Sequence, residues 1–388
     1  MKVLFWLLLF LVFYTYIGYG ILLWIMVKIK KVIVQPNNLS LPDPLPDVTL
    51  LIAAYNEQDI VSDKMINCES LDYPKDKLHI VWVTDGTTDN TNALLAQYPN
   101  VTVLFEPARK GKTAALNRAM PYIKTSYSIF TDANTMLNKQ AIKEIVLQFS
   151  DPKVGCVAGE KRIFVDEKAN NASSGEGFYW KYESTLKSLD SQLNSAVGAA
   201  GELFAIRTEL YEQMEEDTLL DDFILSLRIA QKGYKIAYCD TAYATETGSA
   251  NFKEEQKRKV RIVAGGLQSI ARMLPLLNIF KYGLLSFQYI SHRVLRWTVT
   301  PIALFILLPL NFYLITIHAG SLYTILFVIQ IIFYIMVYFG FKMQEMNLKN
   351  KYLNIPYYVF FMNYNALKGA AYLKKRKGNA AWEKSKRS

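Results

Sequence analysis

The sequence is poor in the residues that build zinc sites and disulfide frameworks. Cys68, Cys156 and Cys239 are scattered singly, and the 388 residues include only three histidines. This spacing excludes the paired CxxC ligands of a structural zinc site and the dense cysteine pattern of a small secreted domain. Internal repeats and low-complexity segments are also lacking. The cysteines therefore fit ordinary buried positions in a reducing cytoplasm.

Acidic residues are outnumbered by basic ones, 34 against 44, which gives a formal net charge of +10. Such an excess can indicate nucleic-acid binding. Much of it, however, lies beside long apolar runs, at residues 28–31, 342–351 and 374–377. Positively charged flanks mark the cytoplasmic side of membrane spans. We therefore expect the charge to orient the chain in a membrane, and we expect no nucleic-acid partner.

Hydrophobic residues make up 51% of the chain, and three runs of them are almost uninterrupted, at 3–27, 299–317 and 322–341. A helix needs about 20 such residues to cross the hydrocarbon core of a bilayer. The first run is long, lacks a small-residue cleavage site and is followed by lysines, which favours an uncleaved anchor over a signal peptide. A last apolar stretch, 355–373, contains Asn363, Asn365 and Lys368 and has positive clusters at both ends. A spanning helix would put one of those clusters outside, which favours an interfacial or re-entrant segment over a further span.

These features divide the chain into six segments. We expect an N-terminal transmembrane anchor at 1–30, a proline-rich linker at 31–46, a catalytic domain at 47–273, an interfacial amphipathic segment at 274–296, two transmembrane helices at 297–341, and an ambiguous interfacial or transmembrane helix with a basic tail at 342–388.

Three apolar stretches of the predicted catalytic domain end abruptly in polar residues. The first runs into Asn56 and Glu57, the second into Asp85, and the third into Asp132. Each is followed by a helix-like stretch, and alternating strands and helices indicate a parallel α/β sheet. Such sheets bind ligands beyond the carboxyl ends of their strands. We therefore expect Asp85 and Asp132 to share one crevice.

Several polar residues near this crevice are candidates for chemistry, and each also has a plain structural interpretation. Asp132 and Asn134 offer hard oxygen ligands suited to Mg²⁺ or Mn²⁺, or they form a turn. Asp85 either contacts a nucleoside or belongs to a strand-to-helix turn. Lys112 opens a helix whose N–H groups could attract a diphosphate, or it is simply solvated.

A second group of candidates lies further along the chain. Asp221 and Asp222 begin a predicted helix, where one carboxylate can act as a cap and the other as a general base. Arg258 and Arg261 lie three residues apart on one face of a basic helix. They are either solvated or bind phosphate or lipid headgroups.

Taken together, six ordered motifs resemble those of family 2 glycosyltransferases, in particular the membrane-embedded group that includes cellulose, hyaluronan and poly-N-acetylglucosamine synthases. The motifs are Ala54-Tyr55-Asn56-Glu57, Asp85-Gly86-Thr87-Thr88-Asp89, Gly111-Lys112 with Leu116-Asn117, Thr131-Asp132-Ala133-Asn134, Gly201 to Arg207, and Asp221-Asp222.

The resemblance implies an α/β GT-A catalytic domain, Rossmann-like with a mainly parallel sheet, joined to transmembrane helices of a multi-pass protein with its catalytic domain on the cytoplasmic side of the cell membrane. It implies a nucleotide-sugar donor, expected to be a UDP-sugar, and Mg²⁺ or Mn²⁺. The residues implied to bind the nucleotide sugar are Ala54, Tyr55, Asn56, Glu57, Asp85, Lys112, Asn117 and Asp132. Asp132 and Asn134 would hold the metal, and Asp222 would be the catalytic base. Those implied for the acceptor or the diphosphate are Gly201, Asp221, Gln256, Arg258 and Arg261.

Three positions depart from the family pattern. Thr84 stands where many members have an Asp before Asp85, and Asn134 replaces the second Asp of the metal motif. The segment that begins at Gln256 ends in Val260 and lacks the Arg-Trp ending that processive synthases carry.

The first functional hypothesis is therefore an inverting glycosyltransferase that forms a β-linked surface or exported polysaccharide on a glycan acceptor. An alternative is transfer of a single sugar to a polyprenyl phosphate or another lipid. A third hypothesis is an inactive homologue that acts as a scaffold in glycan export. Membrane lipids are expected partners in each case, together with an export or accessory subunit in the first.

Overall fold

The computed structural model describes residues 1–34, 39–164, 172–248, 252–346, 348 and 350–375. At its centre is an eight-stranded sheet with the order β3-β2-β1-β4-β7-β6-β8-β5. The strands are β1 Val48–Ala54, β2 Leu78–Asp85, β3 Val101–Glu106, β4 Tyr127–Asp132, β5 Met136–Leu137, β6 Val154–Phe164, β7 Leu203–Arg207 and β8 Lys235–Thr247.

The first four strands of the sheet are parallel, and their register brings their polar ends to one edge. Ala53 of β1 lies opposite Asp132 of β4, and Ala54 lies opposite Thr84 of β2. Six of the seven β1 residues are buried, as expected for a strand covered by helices on both faces. The expected crevice therefore forms where these strands end.

Helices cover both faces of this sheet. The helices of the described residues up to the end of the catalytic region are α1 Lys2–Ile33, α2 Val61–Glu69, α3 Thr91–Leu95, α4 Lys112–Ala119, α5 Ala141–Gln148, α6 Ala172–Leu193, α7 Asp221–Gln231 and α8 Phe252–Arg272. One core layer packs α4 and α7 onto Leu51, Val83 and Phe130. The other packs α2 and α5 onto Leu50 and Ile52. These two layers fix the helix starts that face the strand ends.

The second half of the sheet is mixed rather than parallel. β7 runs antiparallel to both β4 and β6, whereas β6 and β8 pair in parallel. The sequence pattern predicts that β6 ends near Ala158 and β8 near Cys239, but both strands continue further. A register shift between Gly159 and Glu160 interrupts the pairing, and beyond it charged residues continue the ladder. Hydrophobic patterning does not mark such a continuation.

Beyond the sheet, the chain forms short helices and three long ones: α9 Ile279–Tyr282, α10 Leu284–Tyr289, α11 Leu295–Trp297, α12 Val299–Thr316, α13 Ser321–Glu345 and α14 Lys351–Lys375. Among the described residues, three helices are long and apolar enough to cross a membrane, namely α1, α12 and α13. Phe5 of α1 packs with Leu310 and Tyr323 of the other two. Many of their other apolar side chains face outwards, as lipid-facing residues would.

The second half of α1 leaves this bundle and contacts the catalytic region. Tyr19 and Leu23 of α1 pack against Leu186 and Leu193 of α6. The Tyr19 hydroxyl donates to the Asp190 carboxylate at 2.5 Å. The apolar helix and the sheet-containing region are therefore joined by a buried polar contact as well as by packing.

Candidate active site

A pocket of about 320 Å³ lies at the carboxyl ends of β1, β2 and β4. This volume is within the range of pockets that hold small organic ligands. The starts of α4 and α7 close one side, and residues of α6, α8 and α14 complete the opposite wall. Polar groups from distant parts of the sequence therefore converge on one space.

Asp85 lies at the end of β2 and organises the next loop. Its Oδ2 atom accepts hydrogen bonds from the backbone N–H groups of Lys110 and Gly111, at 3.0 and 2.6 Å. Its Oδ1 atom is 3.7 Å from the guanidinium of Arg118 and, among the described residues, has no hydrogen-bond partner although it is buried. Asp85 thus has one oxygen committed to the protein and one left to accept a hydrogen bond from a ligand.

Gly86 is required for this arrangement. Its φ angle is +65°, and a Cβ atom there would lie 2.5 Å from Cβ of Arg109. The close approach brings the Arg109 guanidinium over the ring of Tyr55, 3.7 Å from its centroid. An aromatic face and a planar cation therefore meet beside Asp85, and both line the pocket.

Asp132 and Asn134 follow at the end of β4. The Lys112 ammonium, at the start of α4, donates to Oδ1 of Asp132 at 2.7 Å and lies 3.7 Å from Oδ2 of Asp221. Burial lowers the pKa of Lys112, but the carboxylates of Asp132, Asp221 and Asp222 outweigh that effect and raise it above its usual range. Lys112 therefore remains a cation in the middle of the pocket.

The residues at this strand end fit a divalent cation. No cluster of three His, Cys, Asp or Glu that could hold a metal occurs in the part of the chain that the structure describes. Asp132 Oδ2 nevertheless has no hydrogen-bond partner among those residues, and the Asn134 side chain lies in the same pocket. Carboxylate and amide oxygens with ligand phosphates and water form the usual coordination of Mg²⁺. These two residues can hold such an ion once a phosphate-bearing ligand is bound.

A buried lysine supports this turn from below. The Lys64 side chain is fully buried, and its ammonium donates to the Thr135 carbonyl at 2.5 Å and to Oγ1 of Thr131 at 3.3 Å. Oγ1 of Thr131 also donates to the carbonyl of Glu202 at 2.9 Å. Burial lowers the pKa of Lys64 to about 8. The turn that carries Asp132 is thereby tied to the neighbouring turn at Glu202.

Asp222 lies in the first turn of α7 and faces the same space. Burial raises its pKa, as does the adjacent charge of Asp221, while Lys112 lowers it, and the net pKa is about 7. Gly201 makes room for the carboxylate, since a Cβ atom there would be 3.6 Å from Oδ2 of Asp222 and 3.3 Å from the Lys112 ammonium. A carboxylate with this pKa can gain and lose a proton near neutral pH.

The far wall of the pocket is rich in charge. The Arg258 guanidinium is 3.2 Å from Oε1 of Glu202, which also accepts from Lys161 at 2.5 Å. Burial raises the pKa of Glu202, but these two cations outweigh it and hold the pKa well below its usual range. Glu183, on α6, is similarly bonded by Arg293 at 2.9 Å and by Arg296. Both carboxylates are therefore already neutralised by protein cations.

Most residues predicted from the sequence lie together in this pocket. Those that line it are Ala54, Tyr55, Glu57, Asp85, Lys112, Asp132, Asn134, Gly201, Asp221, Asp222, Arg258 and Arg261. Asn56, Asn117 and Gln256 do not line it. The Asn56 side chain accepts from the backbone N–H of Thr88 at 2.9 Å, so it holds the Asp85 loop.

Asn117 has a structural role instead of facing the pocket. Its amide donates to the carbonyl of Met214 at 2.7 Å, and its oxygen accepts from the Met214 N–H and from the Tyr211 hydroxyl. Thr113, on the same helix, donates to the carbonyl of Thr218. The helix α4 thus fixes the segment that leads into Asp221 and Asp222.

Several pocket residues were not anticipated from the sequence, among them Lys187, Arg293, Trp297 and Met362. They come from α6, from a π-helical turn at Ile290–Val294, from α11 and from α14. Lys187 and Met362 belong to no motif named above, whereas Trp297 completes an Arg-Trp pair with Arg296, the ending that is missing after Gln256. The sequence analysis assigned 274–296, which contains Arg293, to an interfacial amphipathic segment, and the Arg-Trp pair at 296–297 is the signal that could have placed it in the site.

Comparisons with known proteins agree with this geometry. The sequence profile described as "Glycosyltransferase like family 2" matches residues 46–265. Beta-monoglucosyldiacylglycerol synthase of Synechocystis sp. is 29% identical over 239 residues, covering 58% of this chain and 49% of that protein. Poly-beta-1,6-N-acetyl-D-glucosamine synthase of Staphylococcus aureus is 27% identical over 242 residues, covering 59% of this chain and 57% of that protein. This chain therefore spans about half the length of the curated relatives it matches.

A solved structure is similar over almost the whole chain. The mannosyltransferase PcManGT from Pyrobaculum calidifontis, in complex with GDP-Man and Mn²⁺, superposes with a TM-score of 0.69 at 21% sequence identity. The match covers 96% of this chain and 99% of that one. Similarity at this level of identity supports a common fold, which includes the arrangement of the apolar helices around the sheet.

Proposed function

The chain belongs to glycosyltransferase-like family 2 and has the GT-A fold, and from this premise we propose that it transfers a sugar, with inversion, from a nucleotide sugar to a glycan acceptor. The acceptor, the inversion and the individual residue roles are parts of this proposal. The observation that carries it is Asp222, whose half-buried carboxylate has a pKa of about 7 and shares one pocket with Asp85, Lys112 and Asp132.

Asp222 is the proposed general base. The acceptor hydroxyl transfers its proton to the Asp222 carboxylate as its oxygen attacks the anomeric carbon of the donor. The new oxygen–carbon bond forms on the face opposite the diphosphate, and the bond to the diphosphate oxygen breaks with its electron pair leaving on the nucleoside diphosphate. An α-linked donor then gives a β-linked product. A positioned base of this kind contributes about 10² to 10⁴-fold in rate.

The donor half of the pocket has groups suited to each part of a nucleotide sugar. The free Oδ1 atom of Asp85 can accept a hydrogen bond from the base or the ribose, beside the stacked pair of Tyr55 and Arg109. Lys112 and the N-terminus of α4 attract the diphosphate. A Mg²⁺ or Mn²⁺ ion held by Asp132 and Asn134 would neutralise charge on the leaving diphosphate. We propose a UDP-sugar as donor because the family resemblance favours it.

The nature of the product is supported by the relatives. Both the Synechocystis and the Staphylococcus aureus proteins are named for β-linked products, one a glycolipid and the other a polysaccharide. Taken together, the two relatives suggest two acceptor classes for this chain, a glycan chain or a lipid. The second class is favoured by one observation, since Met362 of α14 and Trp297 of α11 form part of the pocket wall. Those helices flank the proposed spans α12 and α13.

The proposed localisation rests on the long apolar helices. We propose that α1, α12 and α13 span the cell membrane, that the catalytic domain at 47–273 faces the cytoplasm, and that α14 lies at the membrane surface against α8. An inactive scaffold is disfavoured because Asp85, Asp132 and Asp222 converge in the pocket. An export or accessory subunit remains a proposal for the polysaccharide case.

The test is release of UDP by the purified protein in lipid nanodiscs across a panel of UDP-sugars, with Mg²⁺, with Mn²⁺ and with a chelator. We expect metal-dependent release with one donor and a loss of about 10²-fold or more in Asp222→Asn, because the amide cannot accept the proton. Glu216→Gln, an exposed carboxylate near the same helix, is the matched control and should retain full activity. Release undiminished in Asp222→Asn would remove that residue from the proposed role.

A further inference from the structure

Lys187 is a buried lysine whose ammonium has no bonding partner among the described residues. It lies on α6, is only 5% exposed and lines the pocket. The structure gives its ammonium neither a hydrogen bond nor an ion pair with any described residue. Burial lowers its pKa, as does the nearby charge of Arg293. A buried amine group is thus directed into a cavity that also contains a candidate catalytic base.

None of the nearby carboxylates among the described residues forms an ion pair with Lys187. Glu183 is bonded by Arg293, Arg296 and His292, and Glu202 is bonded by Lys161 and Arg258. Both carboxylates therefore have cationic partners of their own. Lys187 is left as an additional cation on this side of the pocket.

Lys187 also differs from Lys112 in what surrounds it. Lys112 is bonded to Asp132 and is raised in pKa by Asp132 and Asp221, which places it with the donor diphosphate and its metal. The charges that act on Lys187 are those of Arg293, Glu183, Glu202 and Asp222. The two lysines come from different helices, and Asp222 is the carboxylate that influences both. Because Lys187, unlike Lys112, bonds neither Asp132 nor Asp221, we place it with the acceptor rather than with the donor diphosphate.

Keeping an unpaired ammonium away from water costs stability, and a protein avoids that cost by pairing or replacing the residue. The neighbouring Arg293 makes the cost larger, because like charges repel. An anion bound beside Lys187 relieves both costs. Arg293 bonds Glu183 through Nη1 and the Val197 carbonyl through Nε, while its Nη2 atom has no hydrogen bond to a described residue and can donate to such an anion. Lysine and arginine together are a common pair of phosphate ligands, one as a point charge and one as a planar fork.

We propose that Lys187 and Arg293 form an anion subsite that binds a phosphate group carried by the acceptor, next to the hydroxyl that attacks. This inference rests on the proposed function, since it names the class of acceptor for the same site. It favours a phosphate-bearing acceptor over a neutral glycan end. The phosphate could belong to a membrane lipid ester or to a water-soluble sugar phosphate, and the chemistry of the subsite is the same for both.

The test measures anion binding with the donor half already filled. The protein in nanodiscs is saturated with UDP and Mg²⁺, and then titrated calorimetrically with inorganic phosphate in one arm and with hexyl phosphate in the other. The variants are Lys187→Met, which keeps the length and apolar stem, and Lys187→Arg, which keeps the charge. Lys181→Met, an exposed lysine on the same helix, is the matched control.

We expect Lys187→Met to weaken phosphate binding by about tenfold or more, which is the usual effect of losing one charged hydrogen bond. Lys187→Arg should retain most of the affinity, and Lys181→Met should bind as the unaltered protein does. The Kd for UDP should stay within about twofold in all three, since donor contacts lie elsewhere. The midpoint of thermal denaturation should rise in Lys187→Met, because the unpaired charge has been removed.

Tighter binding of hexyl phosphate than of inorganic phosphate would identify a lipid ester as the source, and equal affinities would identify a soluble phosphate. Unchanged phosphate binding in Lys187→Met, or an equal loss of UDP binding, would overturn the subsite. Absence of phosphate binding in the unaltered protein would do the same. Phosphate binding by a protein that does not bind UDP would keep the subsite and refute the proposed donor.

Discussion

The ionisation of single carboxylates governs the chemistry available in the pocket. Asp221 and Asp222 are adjacent, yet they differ in their contacts, since Lys112 lies 3.7 Å from Asp221 while Asp222 is raised in pKa to about 7. Two neighbouring carboxylates with different environments divide the roles of charge partner and base. The balance between burial and Lys112 therefore decides which carboxylate can accept a proton.

The pH dependence of kcat/KM should report this balance. Only the ionised form of Asp222 can act as a base, so we expect kcat/KM to rise about tenfold per pH unit at acid pH and to level off above the pKa. Because the Asp221 charge raises that pKa, Asp221→Asn should move the midpoint to lower pH. This midpoint is measured from steady-state UDP release between about pH 5 and pH 9, the range in which most proteins are stable.

The control for this profile is Glu216→Gln, whose side chain is exposed outside the pocket. Its midpoint should coincide with that of the unaltered protein. A midpoint that stays in place in Asp221→Asn, or that moves to higher pH, would contradict the assignment of the two carboxylates.

At the level of secondary-structure elements, the site depends on how closely helix starts approach strand ends. The start of α7 approaches the turn before β7, where Gly201 leaves space beside Asp222 and Lys112. Gly198 permits a second approach, because its φ angle is +86° and a Cβ atom there would overlap the ring of Phe223. These two positions set the distance between α7 and the sheet edge, and so the position of the base.

Gly201→Ala should reduce activity without unfolding the protein. The added methyl group would lie 3.3 Å from the Lys112 ammonium and 3.6 Å from Oδ2 of Asp222, and the backbone at this position suits any residue. A displacement of about 1 Å in a reacting group can lower kcat about 10²-fold. We therefore expect a loss of kcat, measured by UDP release, with an unchanged midpoint of thermal denaturation.

Gly233→Ala provides the opposite control. Its φ angle is +97° and no atom lies within 4 Å of a Cβ atom there, so the change strains the backbone at the end of α7 without touching the pocket. We expect a lower denaturation midpoint with kcat preserved. Equal effects of the two variants on both measurements would show that Gly201 has only a structural role.

At the scale of the whole molecule, the number of spans determines which parts share one side of the membrane. Three candidate spans are found among the described residues, one before the sheet-containing region and two after it. In the proposed topology, the two later helices cross the membrane and return, which brings α14 back to the side that holds the sheet. There it packs on α8, where Gly369 lies against the backbone of Val260. This agrees with α14 being a surface helix.

Cysteine labelling in intact cells should show which side of the membrane each region of the chain faces. Ser321→Cys lies at the start of α13, in the turn between the two later spans, and Ser150→Cys lies on the surface of the catalytic region. The three native cysteines are buried, which keeps the background low. We expect a membrane-impermeant maleimide to label Ser321→Cys in intact cells and Ser150→Cys only after lysis. The reverse pattern would place the catalytic region outside.

Much of the fold could be predicted from the sequence because its signals are local. Apolar strands ending at Asp85 and Asp132, and helix starts at Lys112 and Asp221, follow from patterns a few residues long. The three apolar helices are equally local, since length and composition suffice to identify them. The antiparallel β7 and the long ends of β6 and β8 could not be predicted, because pairing partners distant in sequence decide them.

The residues of the site also divide into those that sequence motifs predict and those that only the folded structure reveals. The sequence by itself determined the residues of the pocket that lie at strand ends and helix starts, because the motifs there carry Asp85, Lys112, Asp132 and Asp222 in chain order. Only the tertiary structure decided that Asn117 fixes a segment beneath the pocket, and that Lys187 faces the pocket from its far wall. The physical reason is that burial and partners set what a polar side chain can do. For a residue outside a motif, both depend on elements that are brought together only by folding.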